Sequence, residues 1–421
     1  MEKTPRANRL HIAVFGRRNA GKSSLINALT NQDLALVSEV AGTTGDPVYK
    51  SMELLPFGPV VMIDTAGIDD TGQLGQLRVK KTRDVMKRTD LAIVVIDSNN
   101  GMGQYEKDLI VELEEREIPF VIVLNKIDLD QLNTEYSDII EQLSDYSIRD
   151  EAIIPVSAQT GKGIDKLKEC LVKKAPEDYE RDYIIGDLIT PGEVVVLVTP
   201  IDDSAPKGRL ILPQVQSIRD IIDYNGISLV TKETELELTL DHLKDEPALV
   251  VTDSQAFGQV ADIVPEEILM TSFSILFARY KGDLDIYLRG AMQLNKLKPG
   301  SKILVAEACT HRRQDEDIGT VKIPNWMRER VCQDLVFENV SGREYPDNLK
   351  DYDLILHCGG CMLNRKEILN RIREDDSKGI PVINYGMAIA YLHGILDRAL
   401  APFPFIQRKW NERDKNLKTI R

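Results

Sequence analysis

Two sets of residues in this sequence have the types and spacing to do chemistry. The first is Gly16-Arg17-Arg18-Asn19-Ala20-Gly21-Lys22-Ser23: a glycine, four residues, then Gly-Lys-Ser. Glycines let backbone N–H groups converge on phosphate oxygens, and the N-terminus of the helix that follows adds the positive end of its dipole. Lys22 is placed to reach β and γ phosphates, and Ser23 offers a hydroxyl to Mg²⁺. The second set is Cys309-Thr310-His311 and, after a long gap, His357-Cys358-Gly359-Gly360-Cys361. It contains three of the five cysteines and two of the five histidines. A Cys-x-x-Cys spacing lets two thiolates reach one metal or cluster, and the intervening glycines let N–H groups turn toward the sulfurs. The donor set of Cys309, Cys358, Cys361, His311 and His357 suits a structural zinc ion and an iron–sulfur cluster equally well.

Further motifs follow the first set in an order that fits guanine-nucleotide chemistry. Gly42-Thr43-Thr44 lies in a long polar loop, with Thr44 as a second Mg²⁺ ligand. Asp64-Thr65-Ala66-Gly67 ends an apolar run. Asp64 can hold the metal through water, and the Gly67 N–H can meet the γ-phosphate. Asn125-Lys126-Ile127-Asp128 ends another run. The Asp128 carboxylate can accept from the N1–H and N2–H₂ of guanine, which adenine cannot supply. Ser157-Ala158 would support the base. Lys22, Thr44 and Gly67 are the expected catalytic groups. Gly16, Asn19, Ala20, Gly21, Ser23 and Ser24 complete the expected phosphate-binding set. Ile68 stands where Ras-like proteins carry the glutamine that orients water, so hydrolysis must use another group or be slow. Gln73 and Gln76 lie nearby without a compelling case.

The elements that must position these groups alternate in type. HIAVFG, PVVMID, DLAIVVID, PFVIVLN and EAIIPVS are short apolar runs, separated by amphipathic stretches such as Tyr105 to Glu117 and Lys162 to Lys174. That pattern predicts an α/β fold, a parallel sheet covered on both faces. EVVVLVTP, RLILP, ISLV and PALVVTD predict strands of a small α/β middle domain, with QVQSIRDIIDYNG a helix closed by Gly226. KILVAEA, DLILH and PVIN predict strands of a third α/β domain, with helices over Asn364 to Lys378 and Ala388 to Leu400. If KILVAEA and DLILH run parallel, both cysteine pieces lie at carboxyl ends, where doubly wound sheets build their sites. The expected domains are 1–175, 176–265 and 266–421.

Bulk properties narrow the function classes. The chain has 421 residues, is 43% hydrophobic and 29% charged, and carries a net charge of −14. Such a charge disfavours broad nucleic-acid binding. No apolar run is long enough to span a bilayer, and the start lacks a signal-peptide core, so the expected compartment is the cytoplasm. There, cysteines bind metal or react more often than they form disulfides. Cys170 and Cys332 read as core packing. His11, His242 and His393 stand alone and read as structural. Asp315-Glu316-Asp317 reads as a solvated loop.

As a set, the nucleotide motifs make residues 10–174 resemble the translation-factor-related GTPases, nearest the branch of tRNA-modifying and ribosome-assembly GTPases. By that resemblance Asn19 occupies the position at which potassium-activated relatives hold an asparagine, which implies K⁺ where an arginine finger otherwise acts. Taken with the middle domain and the Cys-x-His…His-Cys-x-x-Cys signature, the whole chain resembles the [FeFe]-hydrogenase maturation GTPases, the HydF family. The resemblance implies GTP hydrolysis with Mg²⁺ and a [4Fe–4S] cluster held by Cys309, Cys358 and Cys361. It implies a homodimer joined by the middle domain. It also implies a scaffold that receives a di-iron precursor from radical-SAM maturation enzymes and delivers it to apo-[FeFe]-hydrogenase. The competing reading is an RNA-associated GTPase of ribosome assembly or tRNA modification with a structural zinc.

Overall fold

The computed structural model describes residues 9–30, 47–54, 58–65, 67, 73–129, 136–144, 146, 150–176, 183–201, 208–308, 317–342, 345–346, 348–360 and 362–418. The chain divides into two compact units, Met1–Arg181 and Asp182–Arg421.

The first unit runs β1 (Leu10–Phe15), α1 (Lys22–Thr30), β2 (Val48–Leu54), β3 (Gly58–Asp64), α2 (Gln73–Met86), β4 (Leu91–Asp97), α3 (Gln104–Glu115), β5 (Phe120–Asn125), α4 (Tyr136–Leu143), β6 (Ile153–Pro155) and α5 (Ile164–Lys174). Its sheet has the order β2-β3-β1-β4-β5-β6. Only β2 is antiparallel to its neighbour. β1 and β4 are buried along their whole length, which is why they read as unbroken apolar runs. Leu25, Ile26 and Leu167 cover one face of the sheet, and Ile110 and Leu113 the other. The expected strands and helices are present. β2 was not expected: VYKSMEL mixes polar and apolar residues because it is an edge strand that is buried only at its end.

The second unit runs β7 (Val194–Val198), α6 (Leu212–Asp223), β8 (Ile227–Thr231), α7 (Leu236–Asp241), β9 (Leu249–Thr252), α8 (Phe257–Ile263), β10 (Met270–Ser272), α9 (Phe273–Lys281) and α10 (Leu284–Gln293). It continues with β11 (Lys302–Glu307), α11 (Ile323–Arg330), β12 (Val336–Ser341), β13 (Leu354–His357), α12 (Arg365–Ser377), β14 (Val382–Asn384), α13 (Tyr385–Leu392), α14 (Leu396–Leu400) and α15 (Pro404–Lys418). Two four-stranded sheets form, β10-β9-β7-β8 and β12-β11-β13-β14. All their pairings are parallel. One apolar core serves both, from Val196 and Val250 through Phe273 to Leu304, Ile355 and Ile383.

Three local expectations change. RLILP is not a strand: Leu212 and Pro213 open α6, and the Gln214 side chain accepts the Ile211 N–H at 3.0 Å, starting a helix instead. Asn225, not Gly226, takes the left-handed position after α6, with φ +58°. Gly226 is needed for space, because a Cβ there would lie 2.5 Å from Ile189 Cδ1. The helix expected over 388–400 breaks at Gly394, φ +75°, into α13 and α14. No helix among the described residues is long and apolar enough to cross a membrane.

Candidate functional site

The glycine-rich loop leaves β1 and enters α1, with Lys22 as the first helical residue. Its glycines are required by close packing. A Cβ on Gly16 would lie 2.4 Å from the Val95 carbonyl oxygen, and one on Gly21 2.2 Å from Asn125 Nδ2. Asn19 has φ +60°, a left-handed conformation that asparagine tolerates better than most residues. Lys22 is buried, and its Nζ donates to the Gly16 carbonyl at 3.0 Å and the Arg17 carbonyl at 2.8 Å. The ammonium thus sits folded over the loop that would receive phosphates. Ser23 Oγ donates to Asp64 Oδ2 at 2.6 Å, which brings together two of the expected metal-binding groups. Thr65 Oγ1 donates to the Val14 carbonyl at 2.7 Å and holds the end of β3 against β1. Gly67 approaches so closely that a Cβ would lie 2.5 Å from the Arg18 backbone.

Asn125 is the brace between loops. It is 1% exposed. Its Nδ2 donates to the Ala20 carbonyl at 2.9 Å, and its Oδ1 accepts from the Ala158 N–H at 3.1 Å. One side chain thereby ties the phosphate loop to the loop after β6. Ser157 is fully buried and accepts from the Thr160 N–H at 3.1 Å. Asp128 is exposed. Ser24 is half-buried on α1.

Two supporting groups escaped the sequence reading. Asp97, at the end of β4, takes Lys126 Nζ at 2.7 Å and the Asn99 N–H at 3.0 Å. Burial would raise its carboxyl, but these hydrogen bonds outweigh it and hold the group below its usual range. Arg17 Nε donates to Glu106 Oε1 at 2.7 Å, and the buried Glu106 also takes the Gly103 N–H at 2.9 Å. The phosphate loop is thus pinned to the start of α3. An aspartate at a strand end hints at Asp97; nothing in the spacing hints at Glu106. Gly42, Thr43, Thr44, Ala66 and Ile68 lie outside the described residues, as do the side chains of Gln73 and Gln76.

In the second unit, β11 and β13 are adjacent and parallel, with Ala306 opposite His357. Their carboxyl ends therefore face the same way, as the sequence reading required. Cys358 Sγ accepts the Ala308 N–H at 3.0 Å and the Gly360 N–H at 3.4 Å. Two backbone donors on one sulfur favour the thiolate, the form that binds iron or zinc, so Cys358 suits such a group. Gly360 has φ +59°, a left-handed conformation that favours glycine, and a Cβ there would lie 2.4 Å from Ile368 Cδ1. Burial first, and then the Cys358 charge, push the Tyr287 and Tyr385 phenols up, so both stay protonated.

His357 is fully buried. Its Nδ1 lies 2.8 Å from the Cys358 carbonyl, which can only accept, so Nδ1 carries the proton. Nε2 is left as a buried lone pair without a hydrogen bond among the described residues. Burial first, then Arg371, lower its pKa to about 4. Cys309, Thr310, His311, Asp315, Glu316 and Cys361 lie outside the described residues. Among the described residues no group of three or more His, Cys, Asp or Glu side chains could hold a metal ion. The lone groups are structural. Cys170 is buried, Cys332 packs against the core, His11 Nδ1 meets the Arg9 carbonyl at 2.8 Å, and His393 packs edge-on to Trp326.

Family models match three segments. Residues 11–126 match the 50S ribosome-binding GTPase. Residues 184–282 match the hydrogen maturase F dimerization domain, and residues 285–402 the hydrogen maturase F tetramerization domain. The chain belongs to the hydrogen maturase F family. In this member of the family, the first unit is a GTPase domain, and the tetramerization segment contains Cys358. Sequence reasoning gave that segment a cluster and missed its assembly role, which no residue spacing signals.

Similar proteins match mainly the GTPase part. GTPase Era of Clostridium botulinum (strain Okra) is 36% identical over 180 residues, 41% of this chain and 59% of that protein. The tRNA modification GTPase MnmE of Aquifex aeolicus is 34% identical over 176 residues, 41% of this chain and 36% of that protein. A crystal structure of an Aquifex aeolicus Era variant bound to GDP·AlF4⁻ is 19% identical with a TM-score of 0.36, covering 53% of this chain and 93% of that one. The chain thus spans between 36% and 59% of the length of these two curated relatives.

Proposed function

We propose that this chain is a GTP-hydrolysing scaffold of [FeFe]-hydrogenase maturation in the cytoplasm. It holds a [4Fe–4S] cluster on Cys309, Cys358 and Cys361, receives a di-iron precursor from radical-SAM maturation enzymes and passes it to the apo-hydrogenase. The reading is carried by one conjunction: a GTPase domain joined to two hydrogen maturase F segments, with a cysteine sulfur held by two backbone donors in the second. When bound, such a cluster supplies an iron corner not taken by thiolate, where cargo can attach. His311 and His357, whose Nε2 has no hydrogen bond among the described residues, are candidates for a fourth ligand or a cargo contact. The chain forms dimers through 184–282 and larger assemblies through 285–402.

In the nucleotide site, Lys22 exchanges the carbonyls of Gly16 and Arg17 for β and γ phosphates. Ser23 and Thr44 take Mg²⁺, with Asp64 acting through water. Asp128 reads guanine, and Asn19 holds K⁺. Loss of the γ-phosphate frees Thr44 and the Gly67 N–H, which relaxes both switch loops and changes partner affinity. Hydrolysis is a timing step and drives no bond making at the cluster.

Anaerobically purified protein is expected to be brown and to contain iron and sulfide. Cys309→Ala, Cys358→Ala and Cys361→Ala should each lose the electron paramagnetic resonance signal of the reduced cluster. Retention of the native signal by all three would end the assignment. Colourless protein with stoichiometric zinc would favour the RNA-associated reading, which the likeness of the first unit to Era and MnmE otherwise supports.

A further inference from the structure

Lys281 ends α9 and is 1% exposed. Taking an ammonium out of water costs several kcal/mol, so its position requires compensating acceptors and charge. Its Nζ donates to the Leu363 carbonyl at 2.9 Å and the Gly360 carbonyl at 3.3 Å. Both acceptors lie in the turn that follows Cys358. The same Gly360 gives its N–H to Cys358 Sγ. The turn is closed by the Leu363 N–H on the Gly360 carbonyl at 3.0 Å. Its far end is also fixed to α9, because Arg365 Nε donates to the Tyr280 carbonyl at 3.1 Å. A buried cation therefore holds the carbonyl of the same glycine whose N–H reaches the sulfur.

We propose that Lys281 is a positioning and charge-setting residue for the thiolate site: its ammonium fixes the turn that directs the Gly360 N–H at Cys358 and stabilises the extra negative charge of a reduced cluster. The proposal rests on the cluster reading above. The potentials of iron–sulfur centres follow net charge and hydrogen bonds to the sulfurs. A fixed positive charge in a weakly screening interior favours the reduced form, so removing it must make reduction harder. The couple concerned is [4Fe–4S]²⁺ plus one electron to [4Fe–4S]⁺, with dithionite as electron donor in the titration.

The test uses full-length protein reconstituted with iron and sulfide, as wild type, Lys281→Met and Lys281→Gln. Iron and sulfide per chain are measured, and the midpoint is read from the electron paramagnetic resonance signal during reductive titration. Both variants should reduce at least tenfold less favourably, a midpoint lower by about 59 mV. Gln keeps a donor, so it should hold more iron than Met. Loss of iron from either variant with circular dichroism and GTP hydrolysis intact supports the positioning role. Should Met or Gln fail to fold, Lys281→Arg keeps cation and donors and should keep the wild-type midpoint; an Arg midpoint lower by tenfold or more overturns the proposal. Iron content and midpoints equal to wild type in Met and Gln also overturn it. Wild-type protein that takes up no iron or sulfide sinks the cluster reading instead.

Discussion

The nucleotide loops and the thiolate turn both hang from the carboxyl ends of parallel strands, yet different atoms brace them. In the nucleotide site many braces run between motif residues, with Glu106 and Asp97 added from outside. Asn125 ties Ala20 to Ala158, Ser23 meets Asp64, and Lys22 folds over its own loop. At the thiolate turn, beyond the Gly360 N–H on Cys358, the braces come from outside the motif: the Ala308 N–H, the Lys281 ammonium, and Ile368 packed under Gly360. A self-braced site can be carried intact from protein to protein. The GTPase part does match proteins that share with this chain only about two fifths of its length. An externally braced site depends on the fold around it, so its supporting residues must be found by geometry.

Lys22→Met should give the largest effect that tests this contrast. Removing a charged donor aimed at developing charge typically lowers kcat by about 10²–10³. Phosphate release at saturating GTP checks the loss, and iron content in the same protein should not change. A parallel fall in iron would show that the two sites are not separately braced.

Asn125→Ala should cost less and differ in kind. It leaves the buried Ala20 carbonyl, at about 1–3 kcal/mol, and the partly buried Ala158 N–H, at less, without their partner. Affinity for GTP and GDP should fall together, by about tenfold or more, because the brace does not touch the γ-phosphate. Calorimetric titration with both nucleotides checks this. A loss confined to GTP would place Asn125 in the switch apparatus and break the comparison.

The sequence was most legible where one residue type has one physical use. Gly16 and Gly21 are fixed by close approaches of under 2.5 Å, and such constraints leave a spacing that can be read directly. β11 and β13 were also readable as strands, because their centres are buried apolar runs; that they run parallel entered only as a condition. β12 was not: VFENVS alternates at a sheet edge and buries little. Lys281 was invisible for a different reason. A lysine at a helix end ordinarily reads as a solvated partner of the dipole, and only the turn 79 residues later makes it a buried one. Glu106 was missed similarly, since its partner Arg17 is 89 residues away.

The smallest effect concerns buried charge and should separate the two units by pH. In the first unit, two buried carboxylates are paired, Asp97 with Lys126 and Glu106 with Arg17, as Glu367 is with Arg371 in the second. In the second, Asp375 on α12 is fully buried; Tyr345 donates to its Oδ2, but Oδ1 has no partner among the described residues. Burial pushes its carboxyl up to about 7, against the Tyr345 hydrogen bond. Between about pH 4 and 7 the folded state therefore keeps a proton that the unfolded chain, at about 3.9, has lost. Stability falls as pH rises through that window and is flat above it. His357, lowered to about 4, works in the opposite sense: the unfolded imidazole gains a proton below about 6.5 and the folded one does not, so stability is lost as pH falls from there toward 4. The two slopes largely cancel in the parent. Asp375→Asn keeps an oxygen for Tyr345 and removes the titration. It should match the parent near pH 4, gain on it by up to about 1.4 kcal/mol per unit toward pH 7, and melt at least a few degrees higher at pH 8. Thermal unfolding from pH 4 to 8 checks this, with bound fluorescent GDP reporting on the first unit separately. An identical pH profile for variant and parent would mean that Asp375 is ionised in the fold, and the contrast between paired and unpaired buried charge would not hold.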